Sequence, residues 1–318
     1  MSQNRITRRK LSMVFAASAA AGTLPIWAHA QQNYPSRPVR FVLPFAAAGV
    51  ADITARVAAE KLGDKLGQRF VVENQPGPGG IAAARAVLSQ APDGYTIGLV
   101  TNGTSISAAI YKALPFDPVK DFATISTIGA FDLVFATSSQ FKALQDFIKA
   151  SRAQPGQLNV GTINVGGTQN LAAELLRASA GLNFQIIPYR GTPDVIVALM
   201  RNDVQLMVDF YAPMKSTLLD NKIRAVATTG KERSPFFTDV PTVADWNGMF
   251  APRGTPTEII DVLNRAIHEL VANPEVKQRY AELGIEAKAS TPEELKARLA
   301  ADIGKWAAVI ERAGIPKQ

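Results

Sequence analysis

Short apolar runs alternate with helix-like stretches in the first third of the chain. The apolar runs at 39–45, 69–74 and 95–101 have the length and composition of buried strands. Between them, apolar residues recur at helical spacing in 53–66 and 81–90. Strands and helices in this alternating order predict a mostly parallel β-sheet.

A second series of the same kind follows. The apolar run 122–138 is long enough to pass between two domains. Further strands are predicted at 157–162, 184–189, 203–210 and 223–229. Apolar residues from Leu171 to Ala178 predict a helix that Gly181 can end. The pattern therefore predicts two α/β units.

The C-terminal part is predicted to be helical. Thr255-Pro256-Thr257-Glu258 and Thr291-Pro292-Glu293-Glu294 each combine an N-cap residue, a first-turn proline and an acid. We predict helices at 257–272, 274–283 and 292–313.

The N-terminus has the pattern of an export signal. Residues 1–30 contain four basic residues, no acid, a short apolar stretch and "AHA" at 28–30. Cleavage near Ala30 would make the protein periplasmic. The segment 7–11 also resembles a twin-arginine signal. A membrane anchor is disfavoured, because the apolar run is short and broken by Pro25.

Removal of the signal changes the charge. The 318 residues carry 34 basic and 27 acidic side chains, a net charge of +7. Without the signal's four basic residues, the counts are 30 and 27, a net charge of +3. Nucleic-acid binding thereby loses its main support.

Cysteine and histidine are scarce. The chain has no cysteine, which excludes disulfides, thiol catalysis and thiolate metal sites. His268 is the one histidine after the signal, because His29 is removed with it. We expect His268 to be a solvated surface residue, and we expect no metal or organic cofactor.

A glycine-rich segment raises an enzymatic alternative. Gly77, Gly79 and Ala82 match G-x-G-x-x-A, the pattern of dinucleotide-binding folds. However, Pro78 stiffens the turn, the segment follows the second strand, and no acid follows at the expected distance. A Pro/Gly turn that places a helix is favoured over an exported NAD-dependent oxidoreductase.

Two strand-loop-helix segments are candidates for ligand binding. They are "PFAAAGVAD" at 44–52 and "NVGTINVGGTQN" at 159–170. A helix N-terminus attracts anions, and two of them facing each other could hold a small dicarboxylate without Arg or Lys. The alternative is that each segment is an ordinary capped turn.

Several short motifs in a fixed order resemble one known family. They are "YPSRPVRFVLPF" (34–45), "VVENQPGPGG" (71–80), "APDGYT" (91–96), "LPFDPVKDF" (114–122), "PYRG" (188–191), "DVPTVAD" (239–245), "FAPRGTP" (250–256) and "STPEEL" (290–295). With these motifs the chain resembles the Bug family of extracytoplasmic solute receptors, the binding proteins of tripartite tricarboxylate transporters.

The resemblance implies an α/β, type II periplasmic-binding-protein fold with two lobes, a hinge and a ligand cleft between them. Lobe 1 would comprise 31–129 plus 248–318, and lobe 2 would comprise 130–247. The ligand would be a small organic carboxylate, and the partners would be membrane permease subunits or, alternatively, a signalling protein. We expect a monomer that is not an enzyme.

The resemblance also implies ligand-binding positions in the two loops, at the hinge segment 101–105 and at the end of "QLMVD". The expected ligand-binding residues are Phe45, Ala46, Ala48, Gly49, Asn102, Thr104, Thr162, Asn164, Gly166, Gly167, Thr168, Gln169 and Asp209.

The chain departs from the family pattern in two places. Ala47 and Ala48 replace a Pro and a Gly of the first loop, whereas Gly49 and Asp52 remain. The Cβ of Ala48 disfavours a positive φ. The segment before Trp246 is about ten residues shorter than is usual in the family. Both departures predict altered ligand choice or lobe closure.

Overall fold

The computed structural model of the chain describes residues 34–138, 140–229, 245–312 and 314–318. The predicted export signal and the segment 239–244 lie outside the described residues. Within the described part of the chain, no helix is both long and apolar enough to span a membrane.

The strands, in chain order, are β1 (Val39–Leu43), β2 (Phe70–Asn74), β3 (Thr96–Thr101), β4 (Phe122–Phe131), β5 (Leu133–Thr137), β6 (Asn159–Ile163), β7 (Gln185–Tyr189), β8 (Leu206–Phe210), β9 (Arg224–Thr228), β10 (Asp245–Pro252) and β11 (Ile285–Glu286). The helices are α1 (Val50–Leu66), α2 (Ile81–Leu88), α3 (Asn102–Ile110), α4 (Leu144–Ala153), α5 (Thr168–Ser179), α6 (Thr192–Met200), α7 (Tyr211–Leu219), α8 (Thr257–Ala272), α9 (Pro274–Ala281) and α10 (Pro292–Arg312).

The described strands form two sheets with a similar plan. The first sheet has the order β11-β4-β10-β3-β1-β2, and the second has the order β7-β6-β8-β5-β9. β1 pairs in parallel with β2 and β3, just as β6 pairs in parallel with β7 and β8. An antiparallel strand follows in each sheet, β10 beside β3 and β5 beside β8. β1 and β6 therefore occupy equivalent central positions in their sheets. The loop after each of them starts at the carboxyl end of the strand.

The chain passes from the first sheet to the second between Phe131 and Leu133, and β10, which starts at Asp245, belongs to the first sheet again. We call the first sheet with α1–α3 and α8–α10 the first lobe, and the second sheet with α4–α7 the second lobe. The residue limits expected for the lobes stay a prediction, because such limits depend on which residues move together.

Apolar side chains on both sheets form separate cores. Val42, Val100 and Trp246 are fully buried in the first lobe, and Val195 and Met207 are fully buried in the second. Each lobe therefore has its own hydrophobic support, and the loops at the carboxyl ends of the strands are held by rigid elements.

A third apolar cluster joins the lobes. Ile106 and Ile110 on α3 pack with Leu171 and Leu175 on α5 and with Trp306 on α10. α5 belongs to the second lobe, whereas the other two helices belong to the first. The lobes are therefore in direct contact beside the cleft that separates their sheets.

Candidate functional site

The loop between β1 and α1 ends in a helix N-terminus that its N-cap residue leaves open. Gly49 is the N-cap, with an extended backbone at φ −83° and ψ 169°. Glycine has no side chain to accept from the first N–H groups of α1, which lack partners within the helix. The positive end of the α1 dipole therefore faces whatever lies in front of this loop.

Asp52 holds the first loop from behind. Its carboxylate accepts hydrogen bonds from Ala48 N at 3.0 Å, Arg56 Nε at 2.9 Å and Asn74 Nδ2 at 3.0 Å. Burial alone would raise the pKa of Asp52, but these hydrogen bonds outweigh burial and hold the pKa below its usual value. Asp52 is thus an ionised structural anchor of the loop.

Ala48 adopts the backbone conformation that a glycine would favour. Its φ is 65°, in the left-handed region. Its side chain is exposed, its N–H is engaged by Asp52, and it does not line the cavities described below. The geometry therefore supports a role in loop shape and does not support direct ligand contact by Ala48.

The loop between β6 and α5 repeats the same arrangement in the second lobe. Gly167 is the N-cap of α5 at φ −84° and ψ 168°, almost the same backbone as Gly49. Asn164 and Gly166 take positive φ values of 38° and 76° and form the turn. Gly166 N donates to Asn170 Oδ1, and Gly167 N donates to the Asn164 carbonyl. The N–H groups of Gly166 and Gly167 are thus hydrogen-bonded within this segment. Gly167 has no side chain that could cap the first-turn N–H groups of α5, so these stay open.

Both helix N-termini face one cavity between the lobes, which we call the main cavity. It encloses about 480 Å³ of empty space, part of it open to solvent. Gly49, Val50 and Ala51 line it from α1, and Thr168 and Gln169 line it from α5. The arrangement places two positive helix ends from different lobes around one small volume.

The expected ligand-binding residues divide among three places. The main cavity is lined by Phe45, Ala46, Gly49, Thr168, Gln169 and Asp209. A minor cavity of about 320 Å³ is lined by Phe45, Thr104, Asn164, Gly166 and Gly167, among others. Ala48, Asn102 and Thr162 line neither cavity. Thr162 Oγ1 accepts from Asn170 Nδ2 at 3.4 Å, which ties the second loop to its strand.

Asp209 is a fully buried carboxylate in the wall of the main cavity. It accepts from Gln169 Nε2 at 3.0 Å, Thr192 Oγ1 at 2.6 Å and Phe210 N at 2.8 Å. Burial raises the pKa of Asp209, and the three hydrogen bonds offset that effect only in part. Its contacts show that it joins the N-termini of α5, α6 and α7 to one another.

β10 brings two further polar residues to the cavity that the sequence did not single out. Asp245 and Asn247 both line it and are both almost completely buried. Burial raises the pKa of Asp245 to about 7, although hydrogen bonds from Thr168 and Trp246 N–H lower it. Asn247 Nδ2 is buried and has no hydrogen-bond partner among the described residues.

Asn102 links the lobes rather than lining the cleft. Its Nδ2 donates to Thr168 Oγ1 at 3.4 Å, and its Oδ1 accepts from Trp306 Nε1 at 2.7 Å. Thr168 also donates to Asp245. Asn102 on α3 and Asp245 on β10, both in the first lobe, thus converge on the first residue of α5, and Trp306 on α10 holds Asn102 in place.

The start of α6 adds residues that sequence reasoning also missed. Arg190, Gly191 and Thr192 line the main cavity, and Arg190 is exposed. A Cβ at Gly191 would lie only 3.1 Å from Ala46 Cβ on the other lobe. Arg190 brings a positive charge to a cavity whose two loops carry none. The signal in the sequence was "PYRG", whose last two residues directly follow the strand predicted at 184–189.

The remaining walls of the main cavity are largely aromatic. Phe45, Phe131 and Phe210 line it. The rings of Phe131 and Phe210 pack edge to face, with centroids 4.7 Å apart and an interplanar angle of 78°. The cavity therefore suits a ligand with a small apolar body and a few polar groups.

The glycine-rich segment 77–80 borders the minor cavity. Gly79 and Gly80 have positive φ values of 63° and 67°, and Pro78–Gly80 forms a short 3-10 turn before α2.

His268 is exposed, with Nε2 3.3 Å from the Ser290 carbonyl oxygen. It lies outside both cavities, as a surface residue would.

Two α/β lobes around a cleft, with helix N-termini from both lobes at its walls, define a solute-binding protein of the periplasmic type. A family model described as "Tripartite tricarboxylate transporter family receptor" matches residues 54–315. The chain therefore belongs to this family, as the resemblance in the sequence predicts.

Solved structures support the same fold. The chain is similar to the periplasmic binding protein BugD, with 30% identity and a TM-score of 0.82 over 90% of this chain and 100% of that one. A structure of R. palustris Rpa4515 with adipate is 29% identical, with a TM-score of 0.82 over 89% and 99%. MatC from Rhodopseudomonas palustris with bound malate is 30% identical, with a TM-score of 0.79 over 87% and 100%.

The fold class predicted from the sequence is therefore confirmed. The family and these structural neighbours are substrate-binding receptors of the periplasm, not enzymes. The dinucleotide alternative for Gly77–Ala82 is accordingly abandoned.

Proposed function

We propose that this protein is an extracytoplasmic receptor that holds a small organic carboxylate between its lobes and delivers it to the membrane subunits of a tripartite tricarboxylate-type transporter. The observation that carries the proposal is the pair of open helix N-termini, α1 and α5, at one cavity. Backbone N–H groups and helix dipoles at both ends favour a bound anion.

The similar structures with adipate and malate support a carboxylate as the ligand. Both are small organic anions, and the main cavity is lined by the N-terminal residues of α1 and α5, one helix from each lobe. Contact with both lobes would make ligand binding favour the closed form. Delivery to a permease would then depend on recognition of that closed form.

Export to the periplasm is part of the proposal, with cleavage near Ala30. Mass spectrometry of the protein from a periplasmic extract would give its N-terminus. A mature start near Gln31 supports export with cleavage, and an intact Met1 in the cytoplasmic fraction contradicts it. Size measurement of the same material tests the expected monomer.

A thermal-shift screen tests ligand class most broadly. The probes are citrate, succinate, malate, aspartate, glutamate, nicotinate and terephthalate. A ligand present at a hundred times its Kd should stabilise the protein by about 2.7 kcal/mol through mass action. Stabilisation by at least one carboxylate is expected, and no response to any of them would contradict the proposal.

Transport and signalling are separated by a second measurement. Purified permease subunits in proteoliposomes should accumulate the identified carboxylate only when the receptor is added. Ligand binding without receptor-dependent accumulation would contradict delivery and favour the signalling alternative.

A further inference from the structure

Asn247 has a buried hydrogen-bond donor that has no partner among the described residues. Its side chain is 1% exposed, and Nδ2 is one of four buried side-chain atoms without a partner in the described part of the chain. The other three are hydroxyl oxygens of Ser105, Thr127 and Ser151, none of which lines the main cavity. Asn247 does line it.

The strand explains why this amide stays unpaired. Asn247 lies on β10 opposite Thr101 of β3 and Gly129 of β4, so its backbone is held between two neighbouring strands. In this position its side chain is almost completely shielded from solvent. Burial of an unsatisfied donor is costly, and native structures rarely retain one without a role. A ligand oxygen in the main cavity is the partner that would satisfy it.

The charges nearby define what kind of oxygen fits. Asp245 is two residues away on the same strand, so its side chain projects to the same side. Asp209 lies in the second-lobe wall of the same cavity. Both are buried, burial disfavours the ionised form of each, and the same low-dielectric surroundings disfavour a charged ligand oxygen beside them. The oxygen at Asn247 should therefore be uncharged.

A hydroxyl group meets the requirement better than a carbonyl does. Asp245 accepts from Thr168 and Trp246 N–H, and Asp209 accepts three hydrogen bonds, so each carboxylate retains acceptor capacity. A ligand hydroxyl can accept a hydrogen bond from Asn247 Nδ2, and it can also donate one to an ionised carboxylate or accept one from a protonated carboxyl group. A carbonyl oxygen can only accept.

We propose that Asn247 is a specificity-determining residue whose amide donates to an uncharged hydroxyl oxygen of the ligand, while the ligand's carboxylate rests on the N-termini of α1 and α5. The inference deepens the proposed function and depends on it. It narrows the ligand class from carboxylates in general to hydroxycarboxylates.

Matched ligand pairs that differ by one hydroxyl test the inference. Titration calorimetry compares lactate with propionate, malate with succinate, and 2-hydroxyglutarate with glutarate, on the wild type and on Asn247→Leu. In at least one pair, the wild type should bind the hydroxylated member about tenfold tighter, the equivalent of one hydrogen bond. Asn247→Leu, which is close in volume, should reduce that preference to about twofold or less. Its melting temperature should not fall, because the variant removes an unsatisfied group.

Asn264 provides the control variant. Its Nδ2 donates to the carbonyls of Ile125 and Ser290, at 2.8 Å each, outside the cavity. Asn264→Leu should lower the melting temperature and leave the hydroxyl preference unchanged. If Asn247→Leu behaves as Asn264→Leu does, its role is structural and the inference is overturned.

The remaining outcomes separate this inference from the proposed function. Tightest binding of a carboxylate that lacks a hydroxyl overturns the inference and leaves the proposed function standing. An unchanged hydroxyl preference in Asn247→Leu has the same meaning. Failure of every carboxylate to bind contradicts both.

Discussion

Gly191 of the second lobe lies against Ala46 of the first, and a single methyl group at this contact should weaken ligand binding. In Gly191→Ala, the new Cβ would lie 3.1 Å from Ala46 Cβ across the cleft. Carbon atoms pack best at about 3.5–4.0 Å, so one wall must retreat by roughly half an ångström. Gly191 has φ −168°, an extended conformation that alanine also adopts, so the backbone itself is not strained.

The expected cost follows from overpacking. Extra methyl groups in a tightly packed region cost about 1–3 kcal/mol. The contact joins the two lobes, so the cost falls on the closed form and is absent when the lobes separate. Because 1.4 kcal/mol corresponds to a factor of ten, the Kd for the carboxylate should rise by about fivefold to a hundredfold.

Titration calorimetry on three variants measures this effect. Gly191→Ala should bind more weakly, and Ala46→Gly combined with Gly191→Ala should recover most of the affinity, because the opposing Cβ is gone. Gly304→Ala is the matched control, since a Cβ there meets no atom within 4 Å. Urea unfolding of the ligand-free variants shows whether stability changed. Wild-type affinity in Gly191→Ala would refute the idea that these walls meet in the ligand-bound form.

Three other changes test separate parts of the structure. Ala48→Gly relieves a φ of 65°, so the free energy of unfolding in urea should rise by about 1 kcal/mol or less, and a loss of stability would show that the turn is not strained. Arg190→Ala should slow carboxylate association in stopped-flow measurements at low salt, and the difference from the wild type should shrink as salt is added. Arg201→Ala removes an exposed charge from the same lobe and should leave the association rate unchanged. Burial raises the pKa of Asp245 from 3.8 to about 7, so the folded state binds more protons than the unfolded state between these values and stability should fall as pH rises through them. Asp245→Asn should flatten this dependence, measured by urea unfolding at about pH 4 and about pH 8; an equal slope in both proteins would assign the effect to other groups, Asp209 first.

Four groups around Asp245 influence its pKa in addition to burial. Thr168 donates to it from the second lobe, and Trp246 N–H donates to it within β10. From α10, Arg298 favours the ionised form and Asp302 opposes it. These two α10 charges oppose each other, and burial has the largest effect on the pKa of Asp245.

The parallel parts of both sheets follow from the sequence because their apolar runs are short and separated by helical spacing. The predicted runs 39–45 and 69–74 correspond to β1 and β2, and α8 and α10 begin where the two Thr-Pro signals place them. The N-termini of α1 and α5 were predictable for a related reason. Gly49 and Gly167 interrupt the pattern at the point where strand gives way to helix.

β10 was missed because it carries no periodic signal. All eight of its residues are buried, polar Asp245 and Asn247 included, so no apolar–polar alternation marks it as a strand. Its place beside β3 also depends on pairing across more than a hundred residues, which local patterns do not encode. The cavity residues on β10 could therefore be found only from the structure.

The conformation of Ala48 can be interpreted only when the sequence and the structure are considered together. The sequence shows that an alanine stands where the family has glycine, and the structure shows that this alanine nevertheless takes a positive φ. The hydrogen bond from its N–H to Asp52 explains how the turn is kept. Ala48 therefore holds a backbone conformation that is unfavourable for alanine, and its effect on ligand choice stays a prediction.

A crystal structure with the carboxylate that gives the largest thermal shift tests most directly the proposal that both lobes hold the ligand. We expect a carboxylate group within hydrogen-bond distance of first-turn N–H groups of both α1 and α5, inside the main cavity and in contact with both lobes. A carboxylate bound to one lobe alone, or outside that cavity, would contradict it.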